Sequence, residues 1–434
     1  MVTLEVMFTK KTIKDIDLKG KTVLLRADYN VPVNKDGTIT DDYRITQSVK
    51  TVQYLQKQGC KVIICSHLGR PESATDPKCT LKPVVKRLSK LLDCPVVFAE
   101  DCVGEKAAKA AAELGSGEVL LLENLRYHKE EEANDTEFAK QLASLAEVFV
   151  QDGFGVVHRA HASTDAVTKF LPSVAGLLLE KEVNVITSVM EKPARPLMAV
   201  IGGAKISDKI GVLNRFIDIA DFVVVGGAMA NTFLKAKGIE VGKSLFDKDD
   251  LPLAREIMER AAKESKKRPF VFYLPQDGVA AKKLDTKTTT RIVDWDAEVI
   301  ADIESYPKRP PRSASHIAED EMILDIGPFS GAFIAGGLQL SNTVVWNGAM
   351  GVTETPAIND PVGPFAHGTE TLVEAILGKY GHRPFSLVGG GDTVGYVEAQ
   401  KLTDSFDHVS TGGGAGLELM SGKKLPGVEA LQNK

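Results

Sequence analysis

Cysteine is scarce in this chain, and the five present, Cys60, Cys65, Cys79, Cys94 and Cys102, form an odd set with no C-x-x-C pair. That pattern argues against a disulfide framework or a zinc site and for reduced thiols in a cytosolic setting. Basic residues are in no excess: the formal net charge is -5, whereas a duplex binder normally shows a basic surplus over a whole face. Nucleic acid is therefore not an expected partner, and any anion site must be local. No run reaches the roughly 18 uninterrupted apolar residues of a membrane helix, and residues 1–21 hold no apolar stretch of the kind a secretory leader needs. The expectation is a soluble cytoplasmic protein with no membrane partner.

Two nucleotide-binding fingerprints are missing as well. Gly238-Ile-Glu-Val-Gly242-Lys243-Ser244 looks like a P-loop, but three residues separate its glycines where four are required, and Lys237 stands where the first glycine should be. The dinucleotide motif G-x-G-x-x-G does not occur, since Gly389-Gly-Gly391 is followed at the decisive place by Val394. Asn134-Asp-Thr136 is a formal glycosylation sequon, but in the absence of a leader it reads as chance on a polar helix start.

What the chain does have is a recurring α/β pattern. Apolar runs of strand length, Val23–Leu25, Val62–Ile64, Val96–Phe98, Val119–Leu122 and Val148–Val150, alternate with longer helical stretches. They resume at Leu197–Ile201, Phe222–Val225, Phe270–Leu274, Met322–Ile326, Thr343–Trp346 and Phe385–Val388. Continuous runs of this kind mark parallel sheets covered on both faces, so the expected class is α/β with two doubly wound, Rossmann-like domains. A length of 434 residues fits two such cores. Between them, Glu180–Lys192 places Val183, Ile186, Val189 and Met190 at helical spacing before Pro193. It reads either as a helix joining the domains or as an ordinary crossover helix within one. Residues 282–320, which include Lys308-Arg-Pro-Pro-Arg312, and 355–364, with three prolines, break the pattern and are expected as surface excursions.

The strand ends differ between the halves. In the first they read Arg26-Ala-Asp28-Tyr-Asn30, Ser66-His67-Leu-Gly69-Arg70, Glu123-Asn-Leu-Arg126 and Asp152-Gly-Phe-Gly-Val-Val-His158-Arg159-Ala-His161. In the second they read Gly202-Gly203-Ala-Lys205, Gly226-Gly227, Trp346-Asn347-Gly348, Gly389-Gly-Gly391-Asp392-Thr393 and Gly412-Gly-Gly414. Ligands of open α/β sheets bind beyond the carboxyl ends of the strands, so cationic forks in one half and backbone cradles in the other predict two different anions. Glycine lets backbone N–H groups approach phosphate oxygens, and a following helix N-terminus adds favourable charge. Asp392 beside such a cradle is either a Mg²⁺ partner, since a bare carboxylate would repel a phosphate, or the N-cap of the next helix. Asp28 and Asn30 can hydrogen-bond a hydroxyl, the arginines can fork onto carboxylate and phosphate, and Arg26 reads as a buried partner of Asp28.

Taken together, Arg26-Ala-Asp-Tyr-Asn-Val-Pro32, Ser66-His-Leu-Gly-Arg-Pro71, His158-Arg-Ala-His161, Gly202-Gly-Ala-Lys-Ile-Ser-Asp-Lys209, Val345-Trp-Asn-Gly348, Gly389-Gly-Gly-Asp-Thr393 and Ser410-Thr-Gly-Gly-Gly414 resemble the phosphoglycerate kinase family. They keep the family's order, and the likeness runs to Leu425-Pro-Gly-Val-Glu-Ala-Leu431. The resemblance implies a substrate domain at 1–179, a joining helix at 180–192, a nucleotide domain at 193–416 and a tail at 417–434 that returns to the first domain. It implies reversible phosphoryl transfer between 1,3-bisphosphoglycerate and ADP, giving 3-phosphoglycerate and ATP, by a monomer that closes about a hinge. Asp28, Asn30, Arg44, His67, Arg70, Arg126 and Arg159 would contact the glycerate substrate. Gly203, Ala204, Lys205, Lys209, Gly227, Gly348, Glu354, Gly391, Asp392 and Thr393 would contact the nucleotide, with Glu354 at the ribose and Mg²⁺ on Asp392. Arg44, Lys205 and Lys209 would act in catalysis.

The chain departs from the family at Ile323, where a glycine is usual near the adenine pocket, and in the length of 282–320 and 355–364. Nucleotide affinity and base preference are the properties these changes touch, not the phosphoryl centre. Two other readings remain open on residues alone: a dehydrogenase-like enzyme sharing the sheet pattern, and a metabolite-binding homologue without turnover.

Overall fold

The computed structural model describes residues 8–34, 36–295, 316–358 and 362–434. They divide into two compact units, 8–188 with 411–434 and 189–410. The first unit is built on β1 (Thr22–Arg26), β2 (Lys61–Cys65), β3 (Val96–Ala99), β4 (Val119–Leu122), β5 (Val148–Gln151) and β6 (Ser173–Ala175). All pair in parallel, in the order β3-β4-β2-β1-β5-β6. Val23 and Leu25 of β1 belong to one core with Ile45 and Val52 of α1 (Tyr43–Lys57), while Leu24 between them belongs to the opposite core with Leu120 and Phe149. Both faces are dry, which is why these strands read as unbroken apolar runs rather than alternating ones.

Register decides where the functional segments emerge. Arg26 stands beside Cys65 on one side and Gln151 on the other, so the chain leaves β1, β2 and β5 at one edge of the sheet. The C-terminal tail also belongs to this unit. The Gly427 amide donates to Val157 O at 2.9 Å, Gln432 to Ser173 O at 3.0 Å, and Lys11 to Gln432 O at 2.7 Å.

The helix expected at Glu180–Lys192 runs from Leu177 to Glu191. Its start is set by Asp152, at the end of β5, whose Oδ1 accepts the amides of Leu178 and Leu179 at 2.9 and 3.2 Å. A carboxylate placed on unpaired first-turn amides is a strong start signal. The division between the units falls inside this helix, after Ser188.

The second unit carries β7 (Leu197–Ile201), β8 (Phe222–Val225), β9 (Val271–Tyr273), β10 (Asp277–Ala281), β11 (Thr290–Asp294), β12 (Met322–Ile326), β13 (Thr343–Asn347), β14 (Phe385–Gly389) and β15 (His408–Val409). Six of them form a parallel sheet, β15-β14-β13-β7-β8-β9. The other three form a small antiparallel sheet, β11-β10-β12. Here the sequence reading needs correction. Met322–Ile326 was expected within the parallel sheet, and 282–320 as an excursion, yet β12 and β11 flank β10. The charged residues of Thr290–Asp294 hide a strand whose Val293 is buried while Ile292 is exposed, the alternation of a sheet with one wet face. Of 355–364, Val362 is buried and Ile358 exposed. The Lys308–Arg312 stretch lies outside the described residues. No helix among the described residues is long and apolar enough to cross a membrane.

Candidate active site

In the first unit, all seven residues expected at the glycerate substrate line one cavity of about 250 Å³: Asp28, Asn30, Arg44, His67, Arg70, Arg126 and Arg159. The construction is local and hydrogen-bonded. Asn124, after β4, accepts from Leu68 N at 3.2 Å, donates to Leu68 O at 2.7 Å, and caps the turn Leu125–Tyr127 by accepting from Arg126 N at 3.0 Å. One buried amide thus fixes the exits of β2 and β4 relative to each other. Arg126 then donates to Gly69 O at 2.8 Å, and Gly69 N donates to Asn30 Oδ1 at 2.8 Å. Arg44, from α1, reaches Asn30 O at 3.0 Å and Asp28 Oδ2 at 3.1 Å. Gly155 faces Asp28 so closely that a Cβ there would collide with Oδ2.

Charge in this cavity is strongly biased. Burial is the strongest single influence on the Asp28 carboxyl and pushes it up, but Arg44, His67, Arg26 and the Asn30 amide together outweigh it and hold the group below the usual carboxylate range. Burial drives the His67 imidazole well below its ordinary value, and Arg26, Arg126 and Arg44 push the same way against Asp28. His161 falls to about 4, through burial and then Arg26 and Arg126. Both histidines are therefore neutral near pH 7, so the positive charge of the cavity is guanidinium.

Three features were not read this way in the sequence. Arg26 is buried as expected, but its hydrogen bonds go to Ser163 Oγ at 2.7 Å, to Ala27 O and to His67 Nδ1 at 3.4 Å, while Asp28 pairs with Arg44. Gly412, Gly413 and Gly414, grouped by pattern with the backbone cradles of the second half, line the cavity of the first unit instead. His158 and His161 line it too, although neither was assigned a ligand.

The second unit gathers its glycine turns. Asn347 aligns with Ile201 and with Gly389, so Gly202, Gly348 and Gly390 follow neighbouring strand ends. Gly348 has φ +111°, and a Cβ there would strike the Gly202 backbone, so only glycine lets these turns approach. Gly203 and Gly227 meet similarly: a Cβ on Gly227 would lie 2.8 Å from Gly203 N. Thr393 Oγ1 accepts from Gly348 N at 2.7 Å. Lys209 Nζ donates to Gly202 O at 2.6 Å, Asn347 O at 3.0 Å and Asn347 Oδ1 at 2.7 Å. An ammonium has three protons, so Lys209 here locks two strand ends together. Burial lowers its pKa to about 8, and Asp392 pulls in the other direction.

Asn347 Nδ2 is buried with no hydrogen-bond partner among the described residues, an orphan donor at the centre of the turns. Such a group calls for an acceptor. Asp392 is exposed in the first turn of the helix Gly391–Ala399, whose N-cap is Gly390, so the capping alternative does not hold. A single exposed carboxylate next to backbone cradles suits Mg²⁺, which takes one or two carboxylates together with substrate phosphates. Ala204 belongs to the turn after Gly203, while Lys205 is over half exposed and pairs with Asp247 at 3.3 Å. Glu354 is exposed on the segment beyond Gly351. Ile323 packs towards Gly278, where a Cβ would lie 2.9 Å from its Cγ2.

Comparison with known proteins decides the family. The sequence model described as phosphoglycerate kinase matches residues 13–423. The chain belongs to the phosphoglycerate kinase family. A relative from Dictyoglomus turgidum named phosphoglycerate kinase is 46% identical, over 98% of this chain and 100% of its own. A relative from Triticum aestivum named as the cytosolic phosphoglycerate kinase is also 46% identical, over 98% of this chain and 99% of its own. Among solved structures, phosphoglycerate kinase from Coxiella burnetii is similar with TM-score 0.78 and 35% identity, covering 97% of this chain and 98% of that one. The enzyme from Pyrococcus horikoshii gives 0.79 and 31%, with the same coverage. Membership makes the chain a kinase of glycolysis, transferring a phosphoryl group reversibly between 1,3-bisphosphoglycerate and ADP. The dehydrogenase reading ends here.

Proposed function

We propose that 3-phosphoglycerate or 1,3-bisphosphoglycerate binds in the arginine cavity of the unit 8–188 with 411–434, and ADP or ATP on the glycine turns of the unit 189–410. The observation that carries this is the convergence of Asp28, Asn30, Arg44, His67, Arg70, Arg126 and Arg159 on a single cavity. Neutral histidines beside forked guanidiniums suit a ligand with a carboxylate, a hydroxyl and a phosphate. Asp28 and Asn30 take the hydroxyl, and the arginines take the two anionic ends.

On the nucleotide side, backbone N–H groups of Gly203, Ala204 and Gly391 receive phosphate oxygens, Gly227 and Gly348 shape the turns with their own N–H groups held by Met350 O and Thr393 Oγ1, and Lys205 and Lys209 supply charge. Glu354 receives the ribose. Asp392 holds Mg²⁺, which supplies charge neutralisation on the nucleotide phosphates.

Transfer from an acyl phosphate to ADP needs no general base, because the attacking phosphate oxygen is already anionic. What it needs is compensation of repulsion. Two like charges about 4 Å apart cost roughly 4 kcal/mol at an effective dielectric near 20, and each reactant carries several. Arg44, Lys205 and Lys209 offset that cost and stabilise charge on the migrating group. With the two ligands on separate units, the reaction requires closure about the helix Leu177–Glu191, which also keeps water from the acyl phosphate. We further propose a cytoplasmic monomer, in keeping with five free cysteines and a relative named as cytosolic.

The test is ATP formation from ADP, Mg²⁺ and 1,3-bisphosphoglycerate by the purified chain. Turnover that requires all three supports the reading. Tight binding of both ligands without ATP would instead make this a metabolite-binding homologue.

A further inference from the structure

Behind the arginine cavity lies a buried polar unit that approaches the lining at two histidines, His161, whose Nδ1 is 3.9 Å from Glu131 Oε1, and His67, which faces Arg26. Glu131 is 1% exposed and Ser163 fully buried. Both Glu131 carboxylate oxygens accept from Ser163, Oε1 from its hydroxyl at 2.6 Å and Oε2 from its amide at 2.9 Å. The hydroxyl has one proton and gives it to Glu131, so its lone pair faces Arg26 Nε, which donates at 2.7 Å. Arg26 NH2 lies 3.9 Å from Glu131 Oε1 and 3.4 Å from His67 Nδ1. Glu131 also holds the loop by its main chain, where its carbonyl accepts from Ala162 N at 2.9 Å.

The donor directions are forced along this chain. A guanidinium has no acceptor and cannot deprotonate, and at 3.4 Å it is within hydrogen-bond reach of His67 Nδ1 whereas Asp28 Oδ1, at 3.8 Å, is not, so that nitrogen takes the acceptor role and is unprotonated. His67 is neutral, hence its proton sits on Nε2. Burying Glu131 raises its carboxyl, and the neighbouring Arg26 and the Ser163 donors oppose that. An acid at such cost in the interior calls for a reason beyond stability, because a buried ion pair contributes little net stability by itself.

We propose that Glu131 and Ser163 are positioning residues for the glycerate site: through Arg26 they fix His67 as the Nε2–H tautomer, a neutral hydrogen-bond donor to the bound glycerate phosphate. Glu131, Ser163, Arg26 and His67 all belong to the unit 8–188 with 411–434, so the effect is expected on the glycerate substrate. The inference rests on the glycerate assignment above for its kinetic part and is independent of it for its tautomer part.

Two variants test it in the full-length protein. Ser163→Ala removes the hydroxyl between Arg26 and Glu131, and Glu131→Gln removes the charge while keeping the shape. With ¹⁵N-histidine labelling, the wild type should show His67 unprotonated at Nδ1 and protonated at Nε2, and each variant should show exchange with the other tautomer. KM for 3-phosphoglycerate should rise about tenfold, the size of losing one hydrogen bond to a charged group, with KM for MgATP unchanged. A His67 tautomer unaltered in both variants overturns the relay whatever the kinetics show. Equal rises in both KM values would also overturn it, since they would mark Glu131 and Ser163 as general scaffold. Should Glu131→Gln fail to fold, Ser163→Ala, a smaller excision, gives the same two readouts.

Discussion

Among single residues, Arg44 and Lys209 separate two ways of supplying positive charge. Arg44 pairs with Asp28 at 3.1 Å yet still lines the cavity, and its side chain is partly exposed, so it can move between the carboxylate and an incoming anion. Arg44→Ala should lower kcat by roughly 10² or more, the usual result of removing one preorganised charge-stabilising donor. Steady-state kinetics would show it, and an unchanged kcat would take Arg44 out of the transition state. Lys209 is held inside the protein and titrates near 8. Because a lysine whose pKa is lowered loses its charge as pH rises through that value, MgADP affinity should weaken from about pH 7 to 9. Calorimetric titration across that range checks this. Lys209→Arg, permanently charged, should flatten the dependence, and a wild-type curve without inflection would mean Lys209 does not bear on the phosphates.

The elements show what could be read from sequence and what could not. Strand ends were legible because a parallel strand buried on both faces is a continuous apolar run, and Arg70 and Arg126 follow such runs. The small antiparallel sheet was not, since β11 mixes Thr290, Arg291 and Asp294 with two apolar residues and looks like loop. Gly412–Gly414 follow a strand of the second unit, so their place in the first unit's cavity depends on the tail's return, which has no local sequence signature. Nor does Glu131, buried between two other glutamates of the same run, stand out from its exposed neighbour Glu132. Asp152 reads in the sequence only as the start of a cluster; in the structure its Oδ1 accepts the amides of Leu178 and Leu179 at the start of the helix Leu177–Glu191. Burial raises its carboxyl to about 7, against about 3.9 in an unfolded chain. Between those values the unfolded chain loses the proton first, so this group's contribution to stability declines as pH rises from about 4 to about 7. Asp152→Asn cannot titrate and keeps an acceptor for the same amides. Denaturant unfolding of both proteins should therefore show the variant gaining on the wild type through that window, whereas parallel curves would refute the raised carboxyl.

In the whole molecule, the proposed function divides labour between two units, each built on a six-stranded parallel sheet. The first offers guanidiniums anchored by Asn124, Asn30 and a buried acid, the second offers backbone amides that glycine alone allows to crowd together. On the proposed assignment neither set would suffice for transfer, because each would neutralise one reactant only. The separation of the two anions is thus the central claim, and backbone amide shifts in two titrations test it most directly. Addition of 3-phosphoglycerate alone should move resonances around Asn30, Arg70, Arg126 and Gly413, and addition of MgADP alone should move those around Gly203, Gly227, Gly348 and Asp392. If both ligands shift the same unit, or if 3-phosphoglycerate leaves the arginine cavity unmoved, the account is contradicted.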